Sequence, residues 1–288
     1  MSPTANTKKT TPVLTLAAVS DIHLAFDGDA LYPLPVPDEA DLVLLAGDVA
    51  DGCKPRYLDW ILAATEGKPV AFTLGNHECY STSRDEAARE CRAAFAGSHV
   101  HFLLNESLVM NGIRIVGTDL WTDFQIDGRG PEAMRDAAAK LNDYRRIKVN
   151  IRDRDACRLL RPIDTLAWHQ EARCFIEQTL NDSDEPVVLM THHGVSRACI
   201  SPGFAGDVLN GAFTSNLEPL FEQTKQPPIL CVYGHTHQHL CKWLDCGAVL
   251  YSNQRGYVGF ERVKGYDPER LIRIFANGRV QVDGYPAI

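Results

Sequence analysis

Val13-Leu14-Thr15-Leu16-Ala17-Ala18-Val19-Ser20-Asp21-Ile22-His23 is a short apolar run that stops on an acid and a histidine. Four later runs repeat the arrangement. Residues 42–46 end at Gly47-Asp48, residues 70–74 at Gly75-Asn76-His77-Glu78, residues 187–190 at Thr191-His192-His193, and residues 229–233 at Gly234-His235-Thr236-His237. Apolar runs of this length, bounded by glycine and polar turns, read as buried strands. Helical patterns lie between several of them. Residues 55–65 begin on Pro55 and stop before Gly67, residues 83–96 open with the capping pattern Ser83-x-x-Glu86, and residues 164–180 place Ala172, Phe175, Ile176 and Leu180 on one face. Strands alternating with helices predict a layered α/β fold. Asn111-Gly112 and Asn277-Gly278 each join two apolar runs as a hairpin, so the sheets are expected to be mixed. Residues 124–162 carry no strand signal and read as an insertion, or lid, over one end of a single domain spanning residues 1–288.

Composition narrows the class. With 45% apolar and 23% charged residues, the chain is excluded from the low-complexity, collagen and coiled-coil classes. No apolar run approaches the ~18 residues needed to span a bilayer. Residues 1–11 are polar, carry Lys8 and Lys9, and read as a disordered tail rather than a signal peptide. The expectation is a cytoplasmic protein without a membrane partner. Nine cysteines, an odd number with no C-x-x-C pair, exclude a disulfide framework and a zinc ribbon and predict reduced thiols.

The strand ends concentrate the chemistry, collecting Asp21, His23, Asp48, Asn76, His77, His192, His193, His235 and His237, including six of the ten histidines. In open α/β sheets, ligands bind beyond the carboxyl ends of the strands, where residues distant in sequence converge. Asp21-x-His23 and His235-x-His237 each place two side chains on the same side of an extended chain. Imidazole, carboxylate and amide donors together suit manganese, iron or zinc. Seven such donors are too many for one tetrahedral zinc and suit two ions sharing a bridging carboxylate. Two ions ~3.5–4 Å apart hold both the attacking and leaving oxygens of a displacement at phosphorus and acidify a bridging water toward hydroxide. Phosphoester hydrolysis is the chemistry these residue types favour.

The order D-x-H, G-D-x-x-D, G-N-H-E, a strand-terminal histidine and G-H-x-H, from Asp21 to His237, closely resembles the calcineurin-like metallophosphoesterase superfamily. The resemblance implies a four-layer α/β/β/α sandwich with two mixed sheets. It implies that Asp21, His23, Asp48 and His237 hold one ion, and that Asp48, Asn76, His192 and His235 hold the other, with Asp48 bridging. Manganese is expected first, iron or zinc as alternatives. His77 would be the unligated histidine that protonates the leaving oxygen or steadies the transition state, and Asp51 the carboxylate that pairs with it. The related serine/threonine phosphatases follow G-D-x-x-D with a phosphate-clamping arginine. Gly52 stands there in this chain, which speaks against protein phosphatase activity, and Thr191-His192-His193-Gly194 with Asn253-Gln254-Arg255-Gly256-Tyr257 resemble the small bacterial-type phosphoesterases.

Other positions carry weaker expectations. His193 reads as a substrate contact or as support behind a ligand. Arg255 reads as a phosphate clamp or an ordinary ion pair. Trp121 and Tyr80 read as cleft walls or as packing. Residues 145–161 contain seven basic residues against Asp153 and Asp155, which suggests a lid that attracts a phosphate-rich substrate. The expected activity is metal-dependent hydrolysis of a phosphodiester or nucleotide-like phosphate. A phosphomonoesterase, a DNA or RNA nuclease, and a non-catalytic scaffold on the same fold are the alternatives.

Overall fold

The structure, a computed structural model, describes residues 11–65, 67–151 and 156–286. The expected tail over residues 1–11 therefore lies outside the described residues, Thr11 excepted.

The opening run forms β1 (Leu14–Val19), followed in parallel by β2 (Leu42–Leu45), β3 (Val70–Phe72) and β4 (Val100–Phe102). The Asn111-Gly112 turn joins β5 (Glu106–Met110) to β6 (Ile113–Thr118), as its sequence predicts. β7 (Lys148–Asn150) and β8 (Cys157–Leu159) make a separate hairpin. Beyond them come β9 (Val187–Thr191), β10 (Leu230–Val232), β11 (His239–Trp243), β12 (Val249–Asn253), β13 (Leu271–Ile274) and β14 (Val280–Val282). One six-stranded sheet runs β14-β13-β1-β2-β3-β4 and the other β11-β12-β10-β9-β6-β5. The first is parallel from β1 to β4 and antiparallel only at its β13–β14 edge, whereas the second is parallel at its centre with an antiparallel strand at each edge.

Side-chain alternation along the strands builds the layers. Leu42 and Leu44 of β2 face the core between the sheets, together with Val188 and Met190 of β9. Val43 and Leu45 face the opposite way, onto α1 (Pro55–Ala64) and α2 (Arg84–Phe95). On the far side, Val187 and Leu189 pack against Ala172, Ile176 and Leu180 of a long helix, Pro162–Asp182. The result is the four-layer α/β/β/α sandwich. The hydroxyl of Ser83 accepts from the Glu86 N–H at 3.2 Å and starts α2 where the capping pattern placed it.

The segment 124–162 departs from expectation. It contains two helices, α3 (Gly130–Lys140) and α4 (Asp143–Arg146), and the β7–β8 hairpin that its sequence did not signal. The strands are three residues long and half-exposed, too short to show alternation. What holds them is tertiary: Tyr80 bridges Ile147, Ser83 bridges Lys148, and the Lys148 N–H donates to the Thr82 carbonyl at 2.8 Å. All nine cysteines are free thiols. Among the described residues, no helix is long and apolar enough to cross a membrane.

Candidate metal centre

The carboxyl ends of β1, β2, β3, β9 and β10 meet at one rim, and the loops leaving them are held in unusual conformations. Asp21, His23, Asp48, His235 and His237 all have positive φ, between 45° and 72°. Left-handed backbone costs a non-glycine residue about 1 kcal/mol or more, and such residues collect at functional sites. Here it turns successive side chains inward.

Their donor atoms converge. His23 Nε2 and His237 Nε2 face each other at 3.0 Å, and Asp21 Oδ1 lies 3.4 Å from His237 Nε2. Asp48 Oδ2 is 3.9 Å from His23 Nε2 and 3.4 Å from His192 Nε2, so this carboxylate stands between two groups of candidate ligands. His192 Nε2 is also 3.0 Å from Asn76 Oδ1. Within each of the triads Asp21–His23–His237 and Asp48–His192–His235, the donor atoms lie within 4.8 Å of one another. A third triad, His23–Asp48–His77, meets the same limit, but both His77 nitrogens have other partners.

Hydrogen bonds fix which atoms point inward. His192 Nδ1 donates to the Ala46 carbonyl at 2.8 Å, leaving Nε2 free. His237 Nδ1 is bonded to Glu261, which does the same for that ring. The Asn76 amide donates through Nδ2 to Asp143 Oδ1 at 2.8 Å, which leaves Oδ1 toward His192. Asp21 accepts from the Ser20 hydroxyl at 2.5 Å and from the His235 N–H at 2.9 Å. The site is also tight. A Cβ on Gly75 would lie 2.1 Å from Asp48 Oδ1, and one on Gly234 would lie 2.7 Å from Asp21 Oδ2. These features fit divalent cations. His235 Nε2 is buried with no hydrogen-bond partner, an arrangement that costs free energy unless a cation takes the lone pair. The mixed nitrogen and oxygen donors match first-row ions.

His77 occupies a different place. Its Nδ1 is 2.6 Å from Asp51 Oδ1, and its Nε2 is 3.1 Å from the Tyr257 hydroxyl. Burial disfavours the charged ring, but Asp48 and the Asp51 hydrogen bond outweigh it and raise the His77 pKa above its ordinary value. Asp51 also accepts from Arg146 at 2.8 Å, and burial notwithstanding, His77 and Arg146 hold its carboxyl low.

The weaker expectations divide. His193 is fully buried, its Nδ1 3.0 Å from the Asp119 carbonyl and its ring stacked on Trp121 at 4.7 Å. Burial and the neighbouring His192 lower its pKa to about 3, so it is a neutral ring packed behind His235. Arg255 is not brought into the cluster. It grips Asp27 with two bonds of 2.8 and 2.9 Å, donates to the Ile22 carbonyl and lies over the Tyr32 ring at 3.9 Å. Tyr80 lines the cleft, whereas Trp121 is buried, its indole N–H on Asp119. Of the basic segment, Arg152 and Arg154 lie outside the described residues. Arg158 and Arg161 are paired with Asp164, and Arg145 donates to the Ala139 carbonyl. Arg146 alone of the described ones reaches the site, over the Tyr80 ring at 4.1 Å.

Sequence reasoning missed three contributors. Glu78 accepts from the N–H groups of Asp48, Val49, Ala50 and Gly75 at 2.6–3.2 Å and so locks the β2 and β3 loops together. Its place in G-N-H-E was the available signal. Asp143 and Glu261 had none, since both lie outside every motif.

The chain is similar to several known proteins. A protein of Acanthamoeba polyphaga mimivirus is 25% identical over 268 residues, 84% of this chain and 91% of its own length. The phosphopantetheinyl hydrolase of Mycobacterium tuberculosis superposes with a TM-score of 0.60 at 20% identity, covering 84% of this chain and 89% of its own. A dimetal phosphatase from Danio rerio gives a TM-score of 0.58 at 16% identity over 94% and 96% of the two chains. The sequence pattern of the calcineurin-like phosphoesterases matches residues 14–239, so the chain belongs to that family of phosphoester-hydrolysing enzymes.

Proposed function

We propose that the chain hydrolyses a phosphodiester or nucleotide-like phosphate with two divalent cations. Asp21, His23, Asp48 and His237 hold one, and Asp48, Asn76, His192 and His235 the other, with manganese favoured over iron or zinc. The observation that carries the reading is the convergence of both ligand groups on Asp48. When bound, such a pair supplies an acidified water as nucleophile and positive charge for the phosphoryl oxygens.

The protein's own groups do the rest. Asp51 holds Nδ1–H of His77, so the proton on Nε2 is directed into the cleft and passes to the leaving oxygen as its bond to phosphorus breaks. Tyr257, 3.1 Å from the same nitrogen, keeps it oriented. Leu141, Asn142 and Asp143 bring the 124–162 segment over the cleft, which supports its reading as a lid.

Of the described residues of the basic segment, Arg146 alone reaches the edge of the cleft, where Asp51 already pairs with it, whereas Asp143 and Glu261 line the cleft itself. A monoester dianion would meet little protein charge to balance it; a diester carries one charge fewer. This favours diesters. Assays of the manganese-loaded protein on aryl mono- and diester phosphates test the reading. Hydrolysis of the diester with higher kcat/KM supports it, and a monoester preference or activity untouched by chelation overturns it.

A further inference from the structure

Beside the metal-ligand cluster lies a second, apolar cavity of about 120 Å³. Its walls come from the loop after β9: Cys199, Ile200, Phe204, Leu209 and Phe213. Ser201, Phe204, Phe213 and Thr236 line both this cavity and the cleft, so the two are continuous. Thr236 sits between His235 and His237, and the Phe213 ring lies 4.6 Å from that of His235. A further feature points to a ligand. Phe204, at the mouth, is 60% exposed, although apolar rings are normally covered.

We propose that this cavity is the subsite for an aromatic group on the substituent that phosphorus retains after hydrolysis. The inference rests on the diester reading above. The volume is comparable to apolar cavities of ~150 Å³ that take up benzene. Facing phenylalanines favour a flat ring, through offset or edge-to-face contacts. A phosphate-bearing group is disfavoured, because Asp207 also lines the cavity and no cation does. The side is set by the cluster. His77 packs with His23 and Tyr80, whereas Phe213 packs on His235. The leaving oxygen faces His77, so a group beside His235 stays on phosphorus.

Two diesters with the same nitrophenolate leaving group test this on the manganese-loaded protein: phenyl and methyl 4-nitrophenyl phosphate. A hydrophobic pocket discriminates by about tenfold or more for small apolar differences. The phenyl ester should have at least about tenfold higher kcat/KM, mostly through KM. Phe204→Ala, at an exposed position, should bring the ratio of the two values near one. Hydrolysis of both esters at equal efficiency by the unmodified protein, or a ratio that survives in Phe204→Ala, overturns the subsite and leaves the diesterase reading standing. Hydrolysis of neither overturns both.

Discussion

Asn76 and Asp143 are joined by a 2.8 Å hydrogen bond from the amide nitrogen of one to the carboxylate of the other. The bond spans 67 residues and connects a strand-end candidate ligand to a helix of the 124–162 segment. Because the amide nitrogen is spent on Asp143, the amide oxygen faces His192. Tyr80 donates its hydroxyl to the same carboxylate oxygen at 2.9 Å. Asp143→Ala should therefore free the amide to rotate and weaken the second cation. Losing an outer partner of a ligand typically costs 10–100-fold in metal affinity or activity. Calorimetric titration with manganese should show one weakened site of two; two unchanged sites would remove Asp143 from the machinery.

His77 and Asp48 separate by leaving group. General acid help is worth ~10²–10⁴ in rate and matters most for poor leaving groups. His77→Asn should lose that much on alkyl esters and little on nitrophenyl esters, with both cations retained. Asp48→Asn should weaken metal binding and depress both substrates alike. If His77→Asn slows both ester types equally, the acid role is wrong.

Removing the metals should abolish activity and lower stability together. A ligand that binds only the folded state stabilises it by about 2.7 kcal/mol at a hundred times its Kd. Chelation should therefore lower Tm, and manganese should restore it with a stoichiometry of about two per chain, read by elemental analysis. Saturation at one ion would exclude the paired site.

Gly75 tests the steric fit of the cradle. Its φ is not in the left-handed region, so alanine meets no penalty from its own φ, but its Cβ would lie 2.1 Å from Asp48 Oδ1, 2.6 Å from the Asp48 backbone nitrogen and 2.7 Å from His192 Cε1. Overpacking of this kind costs about 1–3 kcal/mol. Gly75→Ala should lower Tm in the metal-free protein and reduce manganese affinity; unaltered affinity would mean that Asp48 can shift without consequence.

Acid should act on the start of the long helix at Pro162. Arg158 donates to Asp164 with bonds of 2.6 and 2.7 Å, and the Arg161 N–H donates to it at 2.9 Å. Despite some burial, these partners depress the Asp164 pKa. A depressed folded-state carboxyl stabilises above its unfolded value, about 3.9, and loses that stabilisation as pH falls through the folded value. The Tm gap between the unmodified protein and Asp164→Asn should stay constant from pH 7 to about 5 and close below about 4. A gap that persists into acid would mean that the pair contributes through packing alone.

The alternation of strands and helices, the mixed sheets and the gathering of polar strand-end residues were legible in the chain because each rests on local rules. Apolar runs of fixed length make buried strands, Asn-Gly makes hairpins, and polar residues at strand ends gather at one rim. The family resemblance, not any local rule, paired Asp51 with His77, and the two lie 2.6 Å apart. Only the tertiary structure decided the rest. Arg255 and Arg146 look alike in sequence, both cations outside the motifs, yet one is held by Asp27 and the other reaches Asp51. The β7–β8 hairpin exists because Tyr80–Ser83 offers it an edge. Asp143 and Glu261 orient Asn76 and His237, 67 and 24 residues away. Periodicity encodes which face of an element is buried; it carries no record of which distant side chain will meet a given carboxylate, because that partner is chosen by how the layers and loops pack.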